Sequence, residues 1–342
     1  MTPPDVSVIV VSWNVRDLVL ACLDAVFRRS DGLELDVIVV DNASEDGTVE
    51  AVAARFPEVR VVSSPVNLGF PRANNVGLER ARGRHVLFLN PDTEVGEGTL
   101  RRCVRELDGS SEVGLVGCRL VEPDGTVQRE GGRRHYRLRH LLWESFYLHV
   151  LLPRHPVFAH QLMGDWDHRD VRDVEAVMGA FMMVRAEVAR DVGGLPHEVF
   201  MYHEDLAFCL RVRRAGWRIR YLGDVETLHL SGASSSRSGS PLRLLEGEVR
   251  VRLIRERAGP VAGAVARALF AFRSGTRLLV SLAGRLVPGL RERPRWRGIL
   301  DTRTHALHLL WAVAPGALAS RLPRAEELPG DVPLPERRGG SP

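Results

Sequence analysis

Five carboxylates at three places in the chain have the types and spacing to share one reaction: Asp41, Asp92 with Glu94, and the adjacent pair Glu204-Asp205. A carboxylate can accept the N3–H of a uracil or thymine base. Hard oxygen ligands from Asp or Glu suit Mg2+ or Mn2+, which neutralise the charge that grows on a departing diphosphate. A third carboxylate can take the proton of an attacking hydroxyl. Asp41 is placed for the first task, Asp92 with Glu94 for the second and Asp205 with Glu204 for the third. His229 is a candidate third metal ligand or diphosphate contact, although a lone histidine is more often structural. Glu204-Asp205 also reads as an ordinary helix cap, since a helix N-terminus favours carboxylates.

The elements that must carry these groups follow from the apolar pattern. Val6–Val11 is a continuous β-branched run, as expected of a strand buried on both faces. Arg16–Arg28 has helical spacing, Val37–Val40 is a second buried strand, and Thr48–Phe56 a short helix. Val59–Val62 and Val86–Leu89 supply further strands around a helix through Ala73–Arg82. This alternation predicts an α/β fold with a mostly parallel sheet flanked by helices. Such sheets bind ligands at the carboxyl ends of their strands. The polar segments Ser12-Trp13-Asn14, Asp41-Asn42-Ala43-Ser44 and Asn90-Pro91-Asp92-Thr93-Glu94 fall at those ends. Each alone reads as a solvated turn; three on one rim make a site. Farther on, His135–Asp173 reads as an irregular, aromatic-rich excursion bordering an acceptor cleft. A strand at Ala180–Val184, a helix through Glu204–Ala215 and a strand at Ile219–Leu222 complete the unit.

The bulk numbers narrow the class. All 47 basic residues are arginine, and the net charge of +4 is too small by itself to indicate a nucleic-acid partner. The charge is unevenly spread: from Ser231 onward there are 19 arginines against nine acidic residues. Four scattered cysteines, with no CxxC pair, fit a reducing compartment. Met1–Asp5 lacks a basic stretch ahead of an apolar one, and no apolar run reaches the ~20 residues of a membrane span. The expected location is cytoplasmic, with the tail as a peripheral contact to the inner face of the plasma membrane. From Ala258 to Pro288 the pattern predicts a basic amphipathic helix, with Arg267, Arg273, Arg277 and Arg285 inside an arc of roughly 120°. The opposite face carries Leu269, Phe270, Leu278, Leu282 and Leu286. Such a helix either lies on an anionic membrane or packs on the main domain with its arginines in water.

The run Val6-Ser7-Val8-Ile9-Val10-Val11-Ser12-Trp13-Asn14, followed by Val40-Asp41-Asn42-Ala43-Ser44, resembles the opening of family 2 glycosyltransferases. Asn67-Leu68-Gly69-Phe70, Asn74-Asn75-Val76-Gly77-Leu78 and Leu87-Phe88-Leu89-Asn90-Pro91-Asp92 continue the resemblance. Gly179-Ala180-Phe181, Gly193-Gly194, Phe200-Met201-Tyr202-His203-Glu204-Asp205 and Arg214-Ala215-Gly216-Trp217 are similar to its rhamnosyltransferase-like branch. The resemblance spans about residues 5–235. It implies a GT-A fold, a nucleoside-diphosphate sugar donor (dTDP- or UDP-linked), Mg2+ or Mn2+, and inversion at the anomeric carbon. It further implies Asp41 as the base-binding acid, Asp92 as metal ligand, Asp205 as general base and His229 as a metal or diphosphate contact. Asn42, Asn67 and Gly69 become donor-pocket elements, beside Ser12, Asn14 and Asn90 at the strand ends.

The sequence departs from the family pattern at Asn90, which replaces the first acid of the DxD motif. Glu204-Asp205-Leu206-Ala207 lacks the usual second Asp, and Gly193-Gly194-Leu195-Pro196-His197 replaces Gly-Gly-Phe-Asp-Glu. The last two changes leave the acceptor open: a glycan or a polyprenyl-diphosphate-linked sugar. The expected organisation is a catalytic domain over residues 1–235, a helical region over 236–322 and a disordered tail over 323–342. A non-catalytic sugar-nucleotide-binding protein is the alternative of another class. A nucleotidyltransferase or a dinucleotide-dependent oxidoreductase would carry a Gly-rich phosphate loop after the first strand, where this chain reads Ser12-Trp13-Asn14-Val15.

Overall fold

The computed structural model describes residues 2–196, 203–230, 241–284 and 302–313. The first half runs β1 (Val6–Ser12), α1 (Arg16–Arg28), β2 (Leu35–Asn42), α2 (Thr48–Arg55), β3 (Arg60–Ser64), α3 (Phe70–Arg80) and β4 (His85–Leu89). Next come β5 (Thr93–Val95), α4 (Thr99–Gly109), β6 (Val113–Val121), β7 (Gly132–Arg133), α5 (Leu138–Ser145) and α6 (Leu148–Leu151). Then follow β8 (Val171–Val174), β9 (Ala176–Val177), β10 (Phe181–Arg185), α7 (Ala186–Asp191), α8 (Glu204–Arg214) and β11 (Arg218–His229). Two helices close the described chain, α9 (Pro241–Gly284) and α10 (Thr302–Val313).

The sheet order is β3-β2-β1-β4-β10-β6-β11-β5, with β8 also pairing β11. The expected parallel sheet is its first half: β1 pairs in parallel with both β2 and β4, and β2 with β3. β10 then enters antiparallel between β4 and β6. β1 shows why its run is apolar at every position. Val6, Val8 and Val10 pack on one face with α1 and α4, while Ile9 and Val11 pack on the other with α3 and α8. All seven residues of β1 are buried. α3 lies so close to the sheet that a Cβ on Gly77 would come within 2.5 Å of Ile9 Cγ2.

Two expectations change. The excursion His135–Asp173 is not wholly irregular, because it holds α5 and α6. Apolar positions in and just before α5 pack on residues more than a hundred positions later: Tyr136 and Leu141 form a cluster with Val251, Ile254, Phe270 and Ala312. The tail helix starts earlier than expected and breaks at Gly259, whose φ of 88° and ψ of 175° are non-helical, just before Pro260. The two legs fold back on each other, with Gly247 against the Phe270 ring and Gly263 against the Arg255 side chain. The first leg joins the main core through Val249 and Leu253.

The arginines of the second leg do not form the outer face. Arg273 pairs with Glu144 of α5 at 2.5 Å, and Arg277 stacks over Tyr147 at 5.8 Å. Phe270 is buried with them rather than opposite them. Every exposed residue from Pro260 to Gly284 is apolar, including Val261, Val265, Phe272, Leu279 and Leu282. Among the described residues, no helix is long and apolar enough to cross a membrane. Arg285, Leu286, Phe200-Met201-Tyr202, His197 and the segment 323–342 lie outside the described residues.

Candidate active site

Strand register brings the predicted residues to one rim. Ser12 and Asp41 are paired at the carboxyl ends of β1 and β2, both buried. Asp41 Oδ2 accepts the Ser44 N–H at 3.0 Å. Its Oδ1 is buried without a hydrogen-bond partner, as is Ser12 Oγ. An unpaired buried carboxylate oxygen is costly, so this one fits a ligand donor such as a base N–H. Asn14, held at a φ of 54°, locks the first loop to the second: its N–H donates to Ser44 Oγ and its Oδ1 accepts from Glu45 N–H.

A second polar lock follows β2 and β3. Asn42 Nδ2 donates to Asn67 Oδ1 at 2.8 Å, and Asn42 Oδ1 accepts the Leu68 N–H at 2.7 Å. Gly69 donates its N–H to Asn67 Oδ1 and opens α3 with a φ of 78°, a conformation that favours glycine. These residues are thus tied to each other, which shapes the loop between the strand ends and α3.

The end of β4 connects the remaining carboxylates. Asn90 N–H donates to the Ala180 carbonyl at 3.0 Å, and the neighbouring Gly179 N–H donates to Asp205 Oδ2 at 3.0 Å. Asp92 and Asp205 are therefore joined through a short backbone path. Asp205 and Glu204 open α8 and are buried. Asp205 accepts two further bonds, from Arg133 at 2.6 Å and from Leu206 N–H at 2.6 Å. Its side chain and that of Arg133 are each 9% exposed, so this is a buried ion pair.

Asp92 meets His229 from the end of β11, with Oδ1 3.5 Å from Nε2. His229 Nδ1 lies 2.7 Å from Gln128 Oε1 and must be the donor, because an amide oxygen only accepts. Gln128 is itself oriented by donating from Nε2 to Glu122 at 2.7 Å and to the His229 carbonyl at 3.0 Å. That leaves Nε2 of His229 as the lone-pair nitrogen, the tautomer a metal ligand needs. Asp92 Oδ1 is buried without a hydrogen-bond partner. A carboxylate and an imidazole with free lone pairs fit a divalent cation whose other ligands are diphosphate and water oxygens.

Glu94 does not join this pair. It sits opposite Leu228 in the β5–β11 ladder, one register position from His229. Among the described residues no three His, Cys, Asp or Glu side chains surround a common point as a metal cage would require.

Sequence reasoning missed Gln128 and Arg133. A single glutamine or arginine carries no spacing signal, although the pair Gly131-Gly132 beside them marks a close approach. A Cβ on Gly132 would lie 2.7 Å from the Tyr221 ring. Cys22, behind the Asn90–Thr93 turn, is a buried thiol pushed up to about 12 chiefly by desolvation, and is therefore inert.

The sequence and fold match known proteins. A family model described as glycosyl transferase family 2 matches residues 7–188, more than half the chain. An N-acetylglucosaminyl-diphospho-decaprenol L-rhamnosyltransferase of Mycobacterium tuberculosis is 28% identical over 217 residues, covering 59% of this chain and 69% of its own. A low-salt glycan biosynthesis hexosyltransferase of Haloferax volcanii is 25% identical over 229 residues, 66% of this chain and 67% of its own. Among solved structures, a mannosyltransferase of Pyrobaculum calidifontis in complex with GDP-mannose and Mn2+ superposes with a TM-score of 0.52. It is 21% identical and covers 91% of this chain and 88% of its own, a likeness of fold. With its strand-end motifs in order on a GT-A sheet, the chain belongs to glycosyl transferase family 2 and is a glycosyltransferase.

Proposed function

We propose that this enzyme transfers a sugar, rhamnose first among the candidates, from a dTDP- or UDP-linked donor with inversion. The acceptor is a glycan or a polyprenyl-diphosphate-linked sugar at an anionic membrane surface. The observation that carries the reading is the pair of buried, partnerless carboxylate oxygens on Asp41 and Asp92, at the rim to which Asp205 is tied. Asp41 receives the base, with Ser12, Asn14, Asn42, Asn67 and Gly69 shaping the pocket. Asp92 and His229 would hold Mg2+ or Mn2+, which when bound supplies positive charge against the leaving diphosphate.

Asp205 is the base. Three of roughly four acceptor positions on its carboxylate are filled by Arg133, Gly179 and Leu206, leaving one for an acceptor hydroxyl. The three bonds fix its direction, as a proton acceptor requires. The hydroxyl oxygen forms its bond to the anomeric carbon as the carbon–phosphate oxygen bond breaks on the opposite face. The proton moves to Asp205 and the electron pair leaves with the nucleoside diphosphate. The relative from Mycobacterium tuberculosis, a rhamnosyltransferase acting on a decaprenol-linked sugar by its name, supports the choice of sugar and acceptor.

Thermal stabilisation of the purified chain by a panel of sugar nucleotides, with and without Mn2+, tests the donor. Asp205→Asn should keep donor binding and lose turnover. Normal turnover by that variant would falsify the base assignment, and nucleotide affinity with no turnover in the wild type would mark a binding protein instead.

A further inference from the structure

The second leg of α9 turns an uncharged stripe outward. Val261, Val265, Ala268, Phe272 and Leu279 are exposed and recur at helical spacing, so they lie on one side of the leg. Val261 is 76% exposed and Leu279 67%. From Ala258 to Gly284 the chain holds three arginines and no acid, and the arginines are half-buried. α10 packs beside this leg, where a Cβ on Gly275 would lie 3.9 Å from Leu309. Its exposed described residues, Ala306, Leu310 and Val313, are apolar too. Phe146, at the end of α5, adds an exposed ring 5.5 Å from that of Phe272. Two neighbouring helices with an apolar outer surface are costly in water, and such a surface marks an interaction site.

The border of this surface is basic. Arg255 and Arg257 are exposed at the end of the first leg, just before the Gly259 break, and the Arg255 side chain abuts Gly263 of the second leg. Arg137, Arg213 and Arg214 lie close to Arg257, with Glu175 as an acid among them. Glu175 is shared: it accepts from Arg137 at 2.5 Å and from the His135 N–H at 2.8 Å, and lies 3.8 Å from Arg213. Arg139, exposed, donates to His160 and adjoins Leu138, which packs on the same cluster as Ala262 of the second leg. Glu256, exposed on the first leg, lies 3.4 Å from Arg252. The arginines of this border outnumber the acids beside them.

We propose that this surface docks on an anionic lipid bilayer. The stripe of α9 and the outer side of α10 enter the interface, and the arginines around Arg257 meet phosphate headgroups beside it. An apolar face bordered by cations is the arrangement by which a helix lies in such an interface. A second copy of the chain on the same face would double the positive charge at the junction, whereas anionic headgroups neutralise it. The proposal rests on the membrane-surface reading of the acceptor and names the residues that meet the membrane. It also inverts the expectation from helical spacing: Arg273 and Arg277 turn to Glu144 and Tyr147, and the apolar side of the leg faces the lipid. The first leg links this surface to the reaction rim, since Arg250 Nε donates to His203 Nε2 at 2.8 Å, next to Glu204-Asp205.

The full chain is sedimented with vesicles of phosphatidylcholine alone and of phosphatidylcholine with phosphatidylglycerol. The wild type should favour the anionic vesicles by about tenfold or more in low salt, the scale of a few arginines near such a surface, and by less as salt rises. F272S with L279S should weaken binding to both kinds of vesicle by about tenfold or more. R214Q with R257Q should weaken binding to the anionic vesicles and leave the neutral ones unchanged. Circular dichroism reports that each variant folds, and F272W adds an indole whose emission should shift to the blue on vesicles. Undiminished binding by F272S with L279S, and no shift in F272W, overturns the docking face. Failure of the wild type to bind either vesicle overturns the membrane assignment, and a dimer dissolved by F272S with L279S would then make the face a contact between copies. Transfer to a detergent-dispersed polyprenyl-diphosphate acceptor in that case keeps the acceptor reading. Vesicle binding as expected, with transfer to a water-soluble glycan alone, supports the docking surface and overturns the lipid-linked acceptor.

Discussion

Gln128 Oε1 accepts the Nδ1–H of His229 at 2.7 Å, and this single bond turns the other ring nitrogen toward Asp92. Partners of this kind set the tautomer and direction of a metal-binding imidazole, and losing one typically weakens metal binding about 10–100-fold. Gln128→Leu should raise the Mn2+ concentration for half-maximal transfer by that factor, with kcat at saturating Mn2+ close to wild type. An unchanged Mn2+ titration would show that His229 does not ligate the cation.

Arg133 and Asp205 form a pair that is costly to break from one side. Removing the arginine leaves a buried carboxylate without its counter-charge, a loss of about 3–5 kcal/mol. Arg133→Met should therefore lower the melting temperature, and more than Asp205→Asn, which strands the Arg133 charge but retains an amide oxygen for Gly179 and Arg133. Denaturant melts of the two single variants and of the double variant test the pair; losses that simply add in the double variant would mean the pair contributes nothing as a pair.

Packing of α3 on β1 depends on the missing side chain at Gly77. Adding a methyl group there drives it against Ile9 at 2.5 Å in the sheet centre. Overpacking of this sort costs about 1–3 kcal/mol. Gly77→Ala should lose that stability in urea melts, and its cost should be smaller in an Ile9→Ala background, which removes the Cγ2 it meets.

His135 ties the excursion to α8 by donating from Nε2 to the Leu206 carbonyl at 2.9 Å, next to Asp205. Burial, with Arg257 and Arg133 adding, lowers it from 6.5 to about 4. The folded protein thus resists a proton that the unfolded chain takes up below pH 6.5. Its contribution is complete above that pH and is lost as pH falls toward 4, on the order of 3 kcal/mol across the window. His140, lowered to about 3 chiefly by burial, acts in the same direction. The melting temperature of wild type should fall between pH 6.5 and 4.5 more steeply than that of His135→Gln; superimposable profiles would refute the assignment.

The strand–helix rhythm was readable because the parallel strands are buried on both faces, so Val6–Val11 and Val37–Val40 are apolar without alternation. α1 was readable to the residue at both ends, Arg16 and Arg28. The nearness of Asp41 and Asp92 was readable because β2 and β4 both flank β1 in parallel and end on one side of the sheet. α5 was not, since its apolar side chains meet partners on α9 and α10 that local periodicity does not see. The same separation hid the orientation of the tail. Helical spacing placed Arg273 and Arg277 on a common stripe, but Glu144, 129 residues before Arg273, decides that the stripe faces inward. Glu94 was chosen for lying near Asp92 in the sequence, yet the ladder sets Thr93, not Glu94, opposite His229.

The antiparallel entry of β10 beside β4 has a consequence for how such a protein can change. Because Asn90 bonds to Ala180 and Gly179 to Asp205, the interval between Asp205, the proposed proton acceptor, and Asp92, the proposed cation ligand, is measured out by a ladder, as on a ruler. One residue inserted into β10 would reverse every side chain beyond it and misalign both ends at once. Residues 134–173 carry no rung of that ruler, since their edge strand β8 pairs with β11 instead, so that stretch can be redrawn while the interval stays fixed.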